Sequence, residues 1–274
     1  MSAVATTPPP GTLLDPPADR VGIRSLVGHS LTITRRNLLQ VRGNPQLLVF
    51  IAVQPILFVL LFVYVFGGAI SGSTRDYVQF VIPGIVVQTV VFGTVMTGIG
   101  HNEDLAKGII DRFRSLPIAR SAVLTGRILA DGARTAAAIL VTAAVGMLLG
   151  FRLQAGPVAA LGAFALAVGF GSAFAWVAAT VGLTVRNPET AQLAGFLWMF
   201  PLTFASAAFA PAASMPGWLR PFVEANPVTV VTEALRALTI GGPAAGPVLK
   251  SVAWVAGLTL VFATLAVRQY RRLD

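Results

Sequence analysis

Three charges stand at helical spacing in an otherwise apolar stretch. Arg127, Asp131 and Arg134 fall at i, i+4 and i+7, which puts them on one face of a helix. One carboxylate between two guanidiniums can neutralise itself by pairing. Near a bilayer centre each charge costs about 2.5–3.5 kcal/mol on insertion scales, and pairing lowers that cost. Two readings stand for the trio. The expected one is a cytoplasmic helix extension whose charges are simply solvated; the other is an interface or gate contact.

Just upstream, Glu103 to Leu116 reads Glu-Asp-Leu-Ala-Lys-Gly-Ile-Ile-Asp-Arg-Phe-Arg-Ser-Leu. Leu105, Ile109, Phe113 and Leu116 share one helical face, and Glu103–Lys107 and Lys107–Asp111 are i, i+4 pairs on the other side. Pro117 stops the helix. A helix lying on an anionic leaflet gains nothing from acids. Mixed charge with a Phe and Leu edge suits docking into a groove of a protein, and that is the expectation here; contact with lipid is the alternative.

Other chemistry lacks its residues. Neither lysine, Lys107 or Lys250, follows a glycine, so no phosphate-cradling Gly-Lys-Ser/Thr loop is present. The histidines, His29 and His101, are isolated from carboxylate clusters, and there is no cysteine, which excludes thiolate metal sites and disulfides. Gln54, Gln79, Gln88 and Gln192 lie in apolar runs. They can bond between helices or contact a ligand, and contact between helices is expected for each. An active pump built on this chain needs energy from another subunit.

The elements that position these residues follow from composition. Of 274 residues, 55% are hydrophobic and 11% charged, against about 25% charged in a soluble domain. Mean hydropathy is +0.77. Such a chain cannot cover its own surface in water, and lipid is its natural solvent. The net charge of +9 fits nucleic acid or the cytoplasmic edge of a membrane protein; the apolar composition selects the second, and no nucleic acid is expected.

The fold class expected is an all-α integral membrane protein with six transmembrane helices. Residues 1–20, with Pro8-Pro9-Pro10 and Pro16-Pro17, read as a disordered cytoplasmic tail, and residues 21–274 as one transmembrane domain. Spans of about 20 residues are expected near 46–66, 77–100, 119–150, 157–185, 191–211 and 247–267. Gly22 to Arg42 has the periodicity of an amphipathic helix on the inner membrane surface. Between spans five and six, Pro216-Gly217-Trp218-Leu219 begins a short helix, and Asn226-Pro227 an N-capped second one running to about Leu238 before Gly241-Gly242-Pro243. These pieces are expected to re-enter the outer leaflet as a helical hairpin. With both termini cytoplasmic, most of the basic residues, from Arg20 to Arg42, Lys107 to Arg127, Arg186 and Arg268 to Arg272, fall inside, as the positive-inside rule requires.

At the level of motifs the chain resembles the ABC type-2 transporter permeases, and within them the daunorubicin/doxorubicin-resistance permease subfamily. The resemblance runs from about Arg35 to the C-terminus. Its most specific run is Glu103-Asp104-Leu105, Lys107-Gly108 and Asp111-Arg112-Phe113-Arg114-Ser115-Leu116-Pro117. Supporting runs are Thr34 to Leu38, Tyr64 to Gly68, Arg186 to Gln192, Phe200 to Ser206 and Met215 to Leu219.

The resemblance implies six spans, an interfacial N-terminal helix and a coupling helix at Glu103 to Leu116. Glu103, Asp104, Leu105, Lys107, Asp111, Arg112, Phe113, Arg114 and Leu116 would then face the ATPase. It implies two ABC ATPase subunits, which bind ATP and Mg while this chain binds no cofactor, and a second copy of this chain or a related permease. It implies export of small amphipathic compounds, drugs among them, across the bacterial plasma membrane. An endogenous lipid or glycolipid is the alternative cargo, and a non-transporting membrane scaffold the alternative role. The expected substrate pathway is lined by Gln54 and Gln88 in the first two spans and Phe200, Thr203 and Ser206 in the fifth.

Overall fold

The structure is a computed structural model, and it describes residues 45–71, 73–106 and 120–272. Among these residues every regular element is a helix. Helix α1 is Pro45–Leu60, continued by a π-helical stretch Leu61–Phe66 and by α2, Gly67–Ser71. Then come α3 (Thr74–Ala106), α4 (Arg120–Leu148), α5 (Pro157–Thr184) and α6 (Pro188–Phe204). A 3-10 turn at Ala212–Ser214 precedes α7 (Arg220–Ala225), α8 (Pro227–Ile240) and α9 (Ala245–Arg272). The Gly22 to Arg42 helix and residues 107–119 of the coupling segment lie outside the described residues.

Four of these helices are long and apolar enough to cross a membrane: Arg75–Ala106, Ile128–Leu148, Pro157–Thr184 and Ala245–Gln269. They divide by burial. The apolar window of α3 is 78% buried and that of α9 only 6%, so α3 is the axis and α9 a peripheral stave. Val78, Val81, Ile82, Ile85, Val90 and Val91 are all buried along α3. Small residues let α5 approach it, as close helix pairs in lipid require. A Cβ at Gly182 would overlap the carbonyl oxygen of Gly98, and one at Gly98 would meet the Ala178 carbonyl.

Helix α5 begins where the spacing predicts. Pro157 stands at its first position after Gly156, whose φ of 87° needs a residue without a Cβ. Asn226 caps α8 by accepting from the Val228 N–H, with Pro227 next, as expected. Gly241, at φ 105°, ends α8.

Within the first expected span the backbone passes from α1 into a π-helical stretch beyond Pro55. One expectation needs correction: the helix of the fifth span ends at Phe204, not near residue 211. Asn226 draws off the last carbonyls: its Nδ2 donates to Leu202 O at 2.7 Å and Ala205 O at 2.9 Å. The chain then turns inward, burying Ser206, Ala207 and Ala208. The region between α6 and α9 also differs slightly in detail, since residues 217–219 form a turn and the short helix starts at Arg220.

Candidate functional site

The register of α3 against its neighbours sets the site. Gly146 of α4 meets Ile82 and Arg134 meets Gly93, so α3 and α4 run antiparallel. Gly195 of α6 meets Val95, and Gly84 meets Ala208, so α6 is antiparallel to α3 as well. Between them and α1 lies a cavity of about 130 Å³. Gln54 and Pro55 of α1, Phe92 and Gly93 of α3, Arg134 and Thr135 of α4, and Gln192 and Phe196 of α6 are among its walls. On the other side of Phe196 a wider apolar groove runs along α6, lined by Leu193, Leu197 and Phe200.

Arg134 is the charged wall of this cavity. Its Nη2 donates to Gly93 O at 3.0 Å and pairs with Asp131 Oδ1 at 3.2 Å. The two side chains are only 13% and 15% exposed. This corrects the expectation that the charges are solvated. Arg134 stands in the apolar part of α4, with its charge compensated by the carboxylate one turn earlier. Helical periodicity shows that the trio shares a face and says nothing of its depth. The side chain of Arg127 lies outside the described residues.

Aromatic rings join the cavity to the rest of α1 and α6. Phe92 lies 5.4 Å from Phe200, 6.3 Å from Phe196 and 6.4 Å from Phe58 between ring centroids. The series continues through Phe204 and Phe209, which stacks on Phe62 at 4.2 Å. Of the residues expected along a pathway, Gln54 lines the cavity and Phe200 the groove. Gln88, Thr203 and Ser206 are buried away from both. Ser206 Oγ donates to Thr203 O and accepts from the Ala208 N–H. Neither amide atom of Gln88 is hydrogen-bonded among the described residues. Gln79 makes the expected contact between elements, donating to Gly150 O and accepting from the Arg152 N–H.

The coupling run begins inside α3. Glu103, Asp104 and Leu105 form the last turn of that helix rather than the start of a separate one, while Lys107, Asp111, Arg112, Phe113, Arg114 and Leu116 lie outside the described residues. Immediately before Glu103, Asn102 Nδ2 donates to Gly182 O at 3.0 Å and Val185 O at 2.7 Å. That fork ties the end of α3 to the end of α5, beside the Asn187 cap that starts α6.

At the opposite end Arg236 of α8 is a second interior cation. It donates from Nε to Phe80 O at 3.0 Å and from Nη2 to Ala207 O and Ala208 O at 2.8 and 3.0 Å. Its Cζ lies 3.6 Å from the Phe80 ring centroid. Tyr77 Oη donates to Phe209 O beside it. The carbonyls that Arg236 meets lie 28, 29 and 156 residues away in the chain, where helical spacing does not reach.

Residues 29–240 match the family model described as ABC-2 type transporter. The chain belongs to that family. It is therefore a multi-pass membrane protein. Over 269 residues this ABC-2 chain is 37% identical to a daunorubicin resistance ABC transporter permease protein of Streptomyces coeruleorubidus, covering 97% of this chain and 95% of that one. It is 29% identical over 257 residues, 93% of each chain, to a Mycobacterium tuberculosis protein named as a probable doxorubicin resistance ABC transporter permease. A second doxorubicin resistance permease of that organism is 27% identical over 172 residues, covering 63% and 60%. The matched residues include all the walls of the cavity, the Asn102 fork and Arg236.

Proposed function

We propose that this chain is the membrane-spanning subunit of an ATP-driven exporter that moves hydrophobic or amphipathic compounds, drugs among them, out across the bacterial plasma membrane. The observation that carries this is the likeness to a daunorubicin resistance permease over 97% of the chain. Two copies of a separate ATPase subunit bind ATP and Mg, and a second copy of this chain or a related permease completes the membrane part.

The chain crosses six times with both termini cytoplasmic. The stretches 45–71 and 188–204 are the first and fifth spans. A helix of 17 residues rises about 25 Å, short of the ~30 Å hydrocarbon core. The segment 205–211, buried at Ser206, Ala207, Ala208 and Phe209, makes up the remainder, and irregular backbone is tolerated at membrane depth where protein surrounds it. Helices α7 and α8 then form the hairpin dipping in from the outer face, with Trp218, 80% exposed, at headgroup level.

The coupling segment Glu103 to Leu116 docks into the ATPase. Because its first turn continues α3, displacement there moves a 33-residue rod about 50 Å long. Through the Asn102 fork the same displacement reaches the end of α5 and the start of α6. Cargo is driven only if the two resulting states bind it differently.

Phe113→Asp tests the coupling. The variant is expected to insert normally, to lose the ATPase that co-purifies with the wild type at near one-to-one ratio, and to lose ATP-dependent transport in vesicles. Transport at the wild-type rate would refute the docking role.

A further inference from the structure

We propose that the groove between α5, α6, α7 and α9 holds one zwitterionic aminophospholipid, of the phosphatidylethanolamine class, as a resident lipid and not as cargo. Two spaces join there. An apolar groove of about 430 Å³ has Phe174, Trp198, Phe222, Trp254, Leu258 and Phe262 among its walls. A second space of about 490 Å³ is lined by Glu224 and Lys250, and Ala225 and Trp254 belong to both. Lys250, Trp254, Leu258 and Phe262 follow one another at intervals of four along α9, so one stripe of that helix runs from the charged space down the apolar one. From Lys250 to Phe262 the helix rises about 18 Å, close to one leaflet of the ~30 Å hydrocarbon core. That is the reach of one acyl chain below its head group.

The stripe is held in place at both ends. Thr180 Oγ1 of α5 donates to Phe262 O, and Ser251 Oγ donates to Val230 O of α8, each at 3.2 Å. Even so, the apolar window of α9 is only 6% buried, and the Phe222 and Trp254 side chains that line the groove remain 50% and 39% exposed. Hydrocarbon from the bilayer completes such a wall. The charges select the head group. Glu224 and Lys250 line the same space, yet among the described residues neither forms an ion pair or a hydrogen bond. Arg220, one turn before Glu224, is turned to Ala213 O at 2.8 Å. An anionic head group satisfies Lys250 and is repelled by Glu224. A phosphate and a primary ammonium in one head group meet both, the ammonium with three N–H donors for the carboxylate. A choline head group has no N–H to give and is recognised by cages of several aromatic faces, whereas Trp254 alone is aromatic among the walls of the charged space.

The test titrates the full chain in mild detergent with dioleoyl phosphatidylethanolamine, phosphatidylglycerol and phosphatidylcholine, and counts bound lipid by native mass spectrometry. Wild type is expected to hold one phosphatidylethanolamine about fivefold more tightly than either of the others, a modest margin because both charges are exposed. Glu224→Lys puts two cations in the charged space and is expected to reverse the order, so that phosphatidylglycerol binds best. Ala225→Trp narrows the neck that the two spaces share and is expected to weaken phosphatidylethanolamine by about fivefold. Glycerophosphoethanolamine, the head group without its chains, is expected not to displace the lipid even in large excess. Equal binding of the three lipids by wild type, a wild-type preference for phosphatidylglycerol, or an order that Glu224→Lys leaves unchanged would each overturn the assignment. So would wild-type binding by Ala225→Trp, or displacement by the chainless head group. The readout does not involve transport, so failure here leaves the export reading standing.

Discussion

Arg134 and Arg236 are the same side chain put to opposite uses. Both stand on helices packed against α3, and both donate to its backbone, at Gly93 and Phe80. Arg236 spreads its donors over three carbonyls and lays its plane on the Phe80 ring. It rivets the turn after α6 to α3. Arg134 commits one nitrogen to both backbone and carboxylate, and the residue lines a cavity. A buried guanidinium whose fork is filled by carbonyls fixes structure. One held by a single corner has donors outside those contacts. Burial alone does not separate the two roles; the occupancy of the fork does.

The comparison is most easily broken at Arg236. Arg236→Leu leaves three carbonyls without their donor, each worth about 1–3 kcal/mol when buried, and the expected loss is roughly 4 kcal/mol. Thermal unfolding in mild detergent should show a large drop in midpoint or no recoverable protein. Arg236→Lys should rescue little, because an ammonium cannot bridge the carbonyls as a planar fork does and does not stack in the same way. A lysine variant as stable as wild type would mean that charge, not geometry, holds this end.

A smaller effect is expected at the other arginine. Arg134→Gln strands Asp131 in a mostly buried site and should cost about 2 kcal/mol. Adding Asp131→Asn should return most of it, giving a coupling of about 1–2 kcal/mol in a double-mutant cycle of melting measurements. Additive losses would show that the two charges do not act as a pair.

Much of this arrangement was legible in advance. An uncharged run locates α5 closely, and Asn226-Pro227 as a start signal locates α8, because capping is decided by neighbours in sequence. The family motif from Glu103 onward pointed to a coupling run, but not to Glu103, Asp104 and Leu105 as part of α3. What escaped depends on distant partners. The carbonyl that Arg236 meets on Phe80 is 156 residues away, and the carbonyls that Asn226 draws from α6 are 21 and 24 residues away. Gln54 and Phe200 were picked out by type and do line the two spaces, whereas Gln88, Thr203 and Ser206, picked out the same way, pack elsewhere. Polar residues in apolar runs announce that they need company; only the register of the helices says whose. Arg134 carried that announcement too, and its burial came from the packing of α4 on α3.

The finest test of the contrast between filled and open interior uses two glycines. Gly182 is pressed against the backbone of Gly98, where a Cβ would overlap a carbonyl oxygen. Backbone cannot yield as a flexible side chain can, so Gly182→Ala should force α5 away from α3 and cost about 1–3 kcal/mol. Gly93, on the same helix as Gly98, faces empty space. There the change to alanine meets no steric penalty, and helix propensity favours it by up to ~1 kcal/mol. In lipid the unfolded reference keeps its helices, which shrinks that gain, so Gly93→Ala should leave the melting midpoint unchanged or slightly raised. The two variants add the same methyl group to equally small residues in packed helices, and only their surroundings differ. A destabilised Gly93→Ala would mean that α1 or α6 closes over the cavity in the membrane, and the space beside Arg134 would then be absent from the resting protein.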